Sequence, residues 1–461
     1  MQVKANIFRE YDIRGEADND LSSDVVYAIG QAYGTRLVNN NIKCAAVGGD
    51  VRISTKRIKS AVIDGLLSTG VDVIDIGVVT TPLLYWSLKH FDLKGGVMVT
   101  GSHNPPEMNG LKLCAEFGTL YGSEIQEIRE RIEAGNFAQG SGKLEHKDIK
   151  QEYLDMLKNK FKLNKKFKVV CDSGNGAAGG LAQKFFELLN CECIELYGEH
   201  DGNFPNHHPD PQKRENLKDL IEAVKLNHAD IGFAFDGDAD RIGVVDDLGD
   251  VIFGDRLMAL YWREILQNEK YKNAPVIIEP KCSMALAEEA EKLGGQVVYW
   301  KSGHSLIKAK MREINAPFAG EYSGHMFFAD EYYGFDDSFY AAGRVLRIMD
   351  KANKSLSELV KSIPVYPATQ EVRINCADNL KFEVVEEIKA DALRFYQASV
   401  IDGIRILYPD GKGWGLIRAS NTQPVIAVRC EGKTEAALNE IMSDIKTRIL
   451  AAGLDDFDWS F

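Results

Sequence analysis

One order of segments recurs three times along the chain: an apolar stretch, a turn, a helical stretch and a second apolar stretch. The paired apolar stretches lie at 44–47 and 71–76, at 167–171 and 193–197, and at 276–278 and 296–300. Strands that alternate with helices are typical of βαβ units and mainly parallel sheets. Beyond about residue 366 the strands become shorter and alternate in polarity, which predicts a smaller α+β domain.

The 461 residues therefore divide into four predicted domains, more than one ordinary core can hold. We expect three similar, mixed but mainly parallel α/β domains and a smaller C-terminal α+β domain around a central cleft. Each of the three copies places a polar loop after a further apolar segment, and these loops are expected to meet in the cleft. The predicted bounds are 1–149, 150–250, 251–365 and 366–461.

The composition excludes several classes of protein. A formal net charge of -13 argues against non-specific binding to nucleic acid. The 8 cysteines are scattered without a C-x-x-C pair, which argues against a disulfide framework and a zinc site. The first fifteen residues lack the apolar core of a signal peptide, and no apolar run approaches the length of a membrane span. We therefore expect a cytoplasmic protein without nucleic-acid or membrane partners.

A serine is held in the first polar loop. The strand-like run Gly95–Val99 leads to Ser102 and His103, and the prolines that follow forbid further strand. A serine at the carboxyl end of such a strand is a candidate nucleophile. Taken alone, the stretch is better explained as a turn without chemistry.

Three carboxylates follow the apolar run of the second copy, at Asp236, Asp238 and Asp240. In an extended loop, side chains two residues apart face the same way, so the three would repel one another unless they held a cation such as Mg²⁺. An EF-hand is excluded, because its required Gly and Glu positions hold Arg241 and Asp247. An acidic turn without a cation stays the less favoured alternative, because the apolar strand before it is strong.

A glycine-rich stretch supports a competing hypothesis. Gly174, Gly176 and Gly179 match the G-x-G-x-x-G pattern between a strand and a helix, and Glu195 follows near the next strand. This pattern is typical of nicotinamide dinucleotide binding, although a lone match also fits a tight turn. A NAD-dependent oxidoreductase would leave Ser102 and the three aspartates without a role.

Together the polar stretches resemble the α-D-phosphohexomutase family, and within it the bacterial bifunctional phosphomannomutase/phosphoglucomutase branch. The matching motifs follow in order through all four predicted domains, at 11–15, 100–105, 236–241, 320–325 and 418–424. The stretches 201–209 and 303–308 also look like that family.

The resemblance implies a role for each matching residue. Ser102 would be a phosphoserine that donates and regains a phosphoryl group, and Asp236, Asp238 and Asp240 would hold one Mg²⁺ with it. Charge and proton transfer would be supported by Arg14, His103, Lys112 and Arg241. Substrate contacts would come from Tyr11, Lys281, His304, Glu321, Ser323, His325, Arg418, Ser420, Asn421 and Thr422.

The implied reaction interconverts hexose 1-phosphates and 6-phosphates through a 1,6-bisphosphate, with glucose 1,6-bisphosphate as activator. The expected form of the protein is a monomer or a weak dimer. The chain departs from the family pattern at Ala239, where Gly is usual, and at Tyr322 and Gln423. A phosphoglucosamine mutase shares the Gly-Glu-x-Ser-Gly-His stretch and stays an alternative. A sugar-phosphate-binding protein without catalysis would share the phosphate-binding loop but would not need Ser102.

Overall fold

The computed structural model describes residues 1–115, 118–420 and 423–460. Two units make up the chain, one of Met1–Tyr261 with Ser323–Val360 and one of Trp262–Tyr322 with Lys361–Phe461. Among the described residues, no helix is both long and apolar enough to cross a membrane.

The first unit begins with a mixed sheet and its flanking helices. Its elements are β1 Ile13–Glu16, α1 Ser23–Asn39, β2 Cys44–Gly49, α2 Thr55–Leu67, β3 Asp72–Val78, α3 Thr81–His90, β4 Gly95–Val99, β5 Met108–Ala115, β6 Gly118–Thr119, α4 Ser123–Ala134 and β7 Leu144–His146. The strand order is β1-β5-β4-β2-β3-β7, with β6 beside β5. Strand β2 runs parallel to β3 and β4, whereas β5 is antiparallel to β4 and β1. Every residue of β4 is buried, as its unbroken apolar run predicts.

A second sheet follows in the same unit. Its elements are α5 Lys150–Lys158, β8 Lys168–Asp172, α6 Leu181–Leu188, β9 Glu192–Leu196, α7 Lys218–Leu226, β10 Ile231–Phe235, β11 Ile242–Asp246 and β12 Val251–Ile252. Strand β8 lies parallel to both β9 and β10, and β10 forms an antiparallel pair with β11. The turn between β10 and β11 contains the three aspartates, so the antiparallel pair holds both ends of that turn.

Helix α8, Gly254–Leu266, begins in the first unit and ends in the second. The second unit continues with β13 Pro275–Ile278, α9 Met284–Lys292, β14 Gln296–Tyr299, α10 His304–Ile314 and β15 Phe318–Gly320. Strand β13 is parallel to β14 and β15. The chain then returns to the first unit with β16 Met326–Phe328, α11 Ser338–Ala352 and α12 Leu356–Val360.

The C-terminal part of the second unit is an antiparallel sheet with two helices. Its elements are β17 Val372–Asn375, α13 Lys381–Ala392, β18 Gln397–Ser399, β19 Ile404–Tyr408, β20 Gly413–Ala419, β21 Val425–Gly432 and α14 Glu435–Ala451. The order is β17-β21-β20-β19-β18. The apolar face of α14 packs on the sheet through Leu438, Ile441 and Ile445. Short 3₁₀ turns occur at Ala5–Ile7, Arg214–Leu217, Glu269–Tyr271 and Pro409–Gly411.

These sheets confirm the predicted fold class of mainly parallel α/β layers followed by a smaller α+β part. The apolar runs of all three copies form strands within one or two residues of their expected places. The domain bounds proposed from the sequence stay a prediction.

Candidate active site

Ser102 lies in a buried turn between β4 and β5. Its backbone adopts a left-handed conformation with φ 49°, which is uncommon for a residue with a Cβ. The Ser102 hydroxyl donates a hydrogen bond to Asp236 Oδ2 at 2.9 Å and lies 3.1 Å from His103 Nδ1. The first polar loop therefore meets the second, as the sequence analysis expected.

A buried ion pair that the sequence analysis missed holds this turn. Arg52 donates to Asp50 Oδ2 at 3.1 Å, and both side chains are shielded from solvent. Arg52 also donates to the carbonyl oxygen of Ser102 at 2.8 Å. Asp50 directly follows β2, the strand next to β4, so its place at the carboxyl end of a parallel strand was a usable signal.

The aspartate loop is a tight turn, not the extended segment that the sequence analysis assumed. Ala239 adopts a left-handed conformation with φ 57°, and its amide donates to the carbonyl oxygen of Asp236 at 3.0 Å. This turn still brings the three carboxylates together, with one oxygen of each within 4.8 Å of the others. Gly237 is required here, because a Cβ would lie 2.4 Å from the Ser102 carbonyl oxygen.

Lys112 is bound among these carboxylates. Its ammonium group lies 3.0 Å from Asp238 Oδ2 and also bonds to Asp240 Oδ2. Burial would lower the pKa of Lys112, but the charges of Asp238 and Asp240 outweigh it and raise the pKa. Burial opposes the ionisation of Asp238 as well, and the Lys112 ammonium and the Thr81 hydroxyl nevertheless lower its pKa.

The remaining oxygen atoms fit a divalent cation. Burial, together with the charges of Asp238 and Asp240, raises the pKa of Asp236 well above its ordinary value. Within the described part of the chain, Asp238 Oδ1 and Asp240 Oδ1 are buried without a hydrogen-bond partner. Hard oxygen ligands of this kind suit Mg²⁺, and a cation among them would relieve their mutual repulsion.

A second chain of contacts joins this loop to the stretch after residue 322. Arg241 Nε donates to His325 Nε2 at 2.9 Å. His325 Nδ1 therefore carries the proton and donates to Asp336 Oδ2 at 2.9 Å. Asp336 was not among the residues that the sequence analysis selected, since it lies in a loop without a matching motif. Ser323, from the same stretch, is also buried in the first unit.

Arg14 reaches the serine loop from β1. Its NH1 group donates to Asn104 Oδ1 at 3.3 Å, and its NH2 group donates to Asp12 Oδ2 at 2.5 Å. Strand β1 pairs with β5, which places Arg14 opposite Gly110. Tyr11 is half-buried just before β1. Arg14 thus joins the group around Ser102 through Asn104.

Glu321 belongs to a different group, in the second unit. Its Oε1 atom accepts a hydrogen bond at 2.7 Å from the amide of Gly303, directly before His304 at the start of α10. Glu279, which the sequence analysis missed, accepts from the Tyr322 amide at 2.7 Å and the Ser302 hydroxyl at 2.5 Å. Burial and the nearby Glu321 carboxylate raise the pKa of Glu279, although the positive charge of Lys281 acts to lower it.

Two cations lie among carboxylates in the same unit. Lys281 Nζ is 3.8 Å from both Glu279 and Glu371, and Arg418 NH2 is 3.3 Å from Asp402 Oδ2. Burial acts against ionised Glu371, but Lys281, Arg373 and Arg418 lower its pKa to about 2. These carboxylates hold the cations in place.

The polar loop that begins after β20 contains Ser420. The hydroxyl of Ser420 accepts a hydrogen bond at 3.1 Å from the amide of Gln423. Asn421 and Thr422, predicted to bind phosphate, lie outside the described residues.

Backbone amides of the glycine-rich loop donate hydrogen bonds within the protein. The amide of Ala177 donates at 3.0 Å to the carbonyl oxygen of Gly237 in the aspartate loop, and a Cβ on Gly176 would lie 2.9 Å from that oxygen. Glu195 accepts from the Ser173 hydroxyl at 2.7 Å and the Gly180 amide at 3.0 Å. These contacts argue against a dinucleotide at this loop and explain its glycines by close approach to the aspartate loop.

Four family models cover the chain in order. They are Phosphoglucomutase/phosphomannomutase alpha/beta/alpha domain I at residues 5–139, domain II at 151–249, domain III at 253–366 and the C-terminal domain at 371–448. The chain belongs to the phosphoglucomutase/phosphomannomutase family. Membership of this family confirms the predicted α-D-phosphohexomutase resemblance and makes the chain an isomerase of the phosphotransferase type.

Individual members of this family resemble the chain over its whole length. A phosphomannomutase/phosphoglucomutase of Pseudomonas aeruginosa is 43% identical over 451 residues, 97% of this chain and 96% of its own. A phosphoglucomutase of Neisseria gonorrhoeae is 40% identical over 453 residues, 97% of each chain. The crystal structure of a phosphoglucomutase/phosphomannomutase family protein from Burkholderia thailandensis is 39% identical, covers 100% of both chains and superposes with a TM-score of 0.92.

Proposed function

We propose that the chain interconverts the 1-phosphates and 6-phosphates of mannose and glucose through a phosphoserine at Ser102 and a hexose 1,6-bisphosphate. The observation that carries this proposal is the bond from the Ser102 hydroxyl to Asp236, within a buried cluster of three aspartates and Lys112. The names of the Pseudomonas and Neisseria relatives support hexose phosphates as substrates.

Asp236, Asp238 and Asp240 would hold Mg²⁺ together with the Ser102 oxygen. When bound, this ion would neutralise charge on the phosphoryl group that is transferred. Asp236 Oδ1 is less available than the other carboxylate oxygens, because it accepts from the amides of Asp240 and Arg241, each at 3.1 Å. The oxygens of Asp238 and Asp240 that lack a hydrogen-bond partner in the described chain would therefore hold the ion.

The transfer step breaks the bond between phosphorus and the Ser102 oxygen and forms a bond between phosphorus and a sugar hydroxyl oxygen. The proton of that hydroxyl passes to a basic side chain, for which His103 is the candidate, while Arg241 beside His325 supplies positive charge. The bisphosphate then returns its other phosphoryl group to Ser102. Lys112 and Arg14 supply positive charge during both steps.

Substrate binding is assigned to polar residues whose chemistry fits a sugar phosphate. Glu321 and Ser323 suit vicinal hydroxyl groups, and His304, Lys281 and Tyr11 are supporting contacts. Arg418 and Ser420, with Asn421 and Thr422, suit the phosphate that does not react, since a guanidinium can bind phosphate through two hydrogen bonds. Glucose 1,6-bisphosphate would act as activator by phosphorylating Ser102.

The alternative within the same family is a phosphoglucosamine mutase, whose substrate carries a different substituent at carbon 2 of the sugar. The oxidoreductase hypothesis is not supported, because the glycine-rich loop packs closely against the aspartate loop.

The test is conversion of mannose 1-phosphate and glucose 1-phosphate to their 6-phosphates, with Mg²⁺ and a trace of glucose 1,6-bisphosphate. We expect Ser102→Ala to lower kcat by ~10⁴-fold or more while substrate binding persists. Ser87→Ala is the matched control, since Ser87 is buried in the same unit and its hydroxyl bonds within α3. Absence of turnover with both sugars would contradict the proposed substrates, and glucosamine 1-phosphate would be tried next.

A further inference from the structure

Every N–H donor of Arg52 is used inside the protein. Its NH2 group donates to the carbonyl oxygens of Ser102 at 2.8 Å and Asn104 at 2.6 Å. Its NH1 group donates to those of Pro105 at 2.5 Å and Met108 at 3.0 Å, and Nε donates to Asp50. A guanidinium has five such donors in one plane, and here four of them bind one continuous turn of backbone.

Asp50 fixes the guanidinium and the beginning of the same turn. Its Oδ2 atom accepts from the Thr100 hydroxyl at 2.8 Å and the Gly101 amide at 3.1 Å, besides Arg52 Nε. Its Oδ1 atom accepts from the Thr55 hydroxyl at 2.6 Å, at the start of α2, and from the Arg52 amide at 3.0 Å. The pair therefore ties the serine turn to the end of β2 and the start of α2.

Gly101, Gly202 and Phe204 lie close to Arg52. A Cβ on Gly101 would lie 2.5 Å from Arg52 Nε, and a Cβ on Gly202 would lie 2.8 Å from Arg52 Cα. The ring of Phe204 lies 5.1 Å from the guanidinium carbon.

The turn needs such support because Ser102 adopts a left-handed backbone conformation. A residue with a Cβ in this conformation is strained, and the surrounding structure must hold it there. If the turn relaxed, the Ser102 hydroxyl would move away from Asp236 and the cation site.

We infer that Arg52, fixed by Asp50, is a positioning residue for phosphoryl transfer, which holds the Ser102 turn in its strained reactive conformation. This inference rests on the proposed function. Arg52 acts through the backbone, since its contacts are carbonyl oxygens and Asp50, whereas the Ser102 hydroxyl is bound by Asp236 and His103. Loss of the fork of donors should therefore lower kcat and leave substrate binding nearly unchanged.

The experiment compares Arg52→Lys with Arg57→Lys. Arg57, on helix α2, also donates to two backbone carbonyl oxygens, those of Ala17 and Leu21, but not to the serine turn. We expect Arg52→Lys to lower kcat by ~10²-fold with KM changed by less than about twofold, and Arg57→Lys to change neither. Amide hydrogen exchange in the segment 100–108 should become faster only in Arg52→Lys.

A second pair of measurements separates positioning from loss of structure. In Arg52→Ala, added guanidinium at low millimolar concentration should restore part of kcat, whereas an unfolded or misfolded variant would not respond. If neither Arg52 variant yields folded protein, Asp50→Asn decides the question, with the same expected fall in kcat and faster exchange at 100–108.

Two results would overturn the inference: a folded Arg52→Lys with wild-type kcat, or a fall in kcat without faster exchange in the turn. An inactive wild type would instead overturn the proposed function, and the role of Arg52 in that reaction with it. An active wild type with an unaffected Arg52→Lys would overturn the role of Arg52 alone.

Discussion

The two groups of site residues handle charge in opposite ways. In the first unit, the transfer centre of Ser102, Lys112, Asp236, Asp238 and Asp240 gathers three carboxylates around one ammonium group. In the second unit, the cation cluster of Lys281, Arg418, Glu279, Glu371 and Asp402 has a carboxylate beside each cation. Burial and like charges raise the pKa of Asp236, whereas nearby cations lower that of Glu371 to about 2.

This difference separates two tasks. In the described chain, the transfer centre keeps two buried carboxylate oxygens without a hydrogen-bond partner, which suits the cation of the proposed chemical step. The cation cluster holds Lys281 and Arg418 in defined places, which suits binding of an anionic sugar phosphate. Substitutions in the first group should therefore act on kcat, and those in the second on KM.

Among the changes that test this comparison, Asp238→Asn has the largest expected effect. The amide keeps an oxygen near Lys112 and Thr81 but removes a negative charge from the cation site. We expect kcat to fall by ~10³-fold and Mg²⁺ affinity, measured by calorimetric titration, to fall with it.

Asp75→Asn is the matched control for this change. Asp75 is a buried carboxylate of the same unit and is bound by Lys59 at 2.7 Å, outside the transfer centre. Equal losses of activity in the two variants would mean that the charge acts on the fold and not on the reaction.

The next effect concerns the dependence of stability on pH, which has opposite signs in the two units. Burial raises the pKa of Asp337 in the first unit to about 6, from 3.8. The folded protein therefore holds this proton more tightly than the unfolded chain, and stability is lost as pH rises through about 6. We expect the difference in free energy of unfolding between Asp337→Asn and wild type to shift in favour of the variant as pH rises. The shift should reach up to about 3 kcal/mol between about pH 4 and about pH 7.

Glu371→Gln is the opposite case in the second unit. The lowered pKa of Glu371 contributes stability above its ordinary value of 4.5, and this contribution is lost as pH falls towards about 2. The variant should be less stable than wild type near neutral pH, and the difference should shrink on acidification. Unfolding midpoints in urea across this pH range test both variants; the same sign for both would refute the comparison.

A smaller effect is expected for Arg418→Lys in the cation cluster. Lysine keeps the charge but loses the planar fork that binds phosphate through two hydrogen bonds. We expect KM for hexose phosphate to rise by ~10- to 100-fold with kcat nearly unchanged. Arg448→Lys is the control, because Arg448 is bound by Asp391 and Asp444 in the same unit. A fall in kcat alone would place Arg418 in the chemical step.

The strands and the serine and aspartate loops could be predicted because their signals are local. Apolar runs, prolines and clustered carboxylates are visible within a few residues of one another. The bond between Ser102 and Asp236 joins residues 134 positions apart. The repeated pattern suggested that their two loops meet, and the resemblance to a family suggested that these two residues act together.

Three features of the site depended on long-range packing that the sequence does not display. Charged residues are usually exposed, so Arg52 and Lys112 gave no sign that they are buried among specific partners. The change of unit after Tyr322 separates Glu321 from Ser323, although they are two residues apart. Spacing alone suggested an extended aspartate loop, whereas the left-handed Ala239 makes it a turn.

The smallest expected effect tests a further contrast, in backbone strain. In the turns of the transfer centre, Ser102 and Ala239 have a Cβ and a positive φ, whereas in the second unit Gly303 and Gly403 have a positive φ and no Cβ. Ala239→Gly removes a strained Cβ but makes the unfolded chain more flexible, and these effects partly cancel. We expect a gain of about 0.5–1 kcal/mol in the free energy of unfolding, with kcat kept. Ala234→Gly, in the adjoining strand β10, should instead lose stability, because glycine relieves no strain there and leaves a gap in the core. A loss of stability in both variants would show that the turn at Ala239 carries no strain that glycine can relieve.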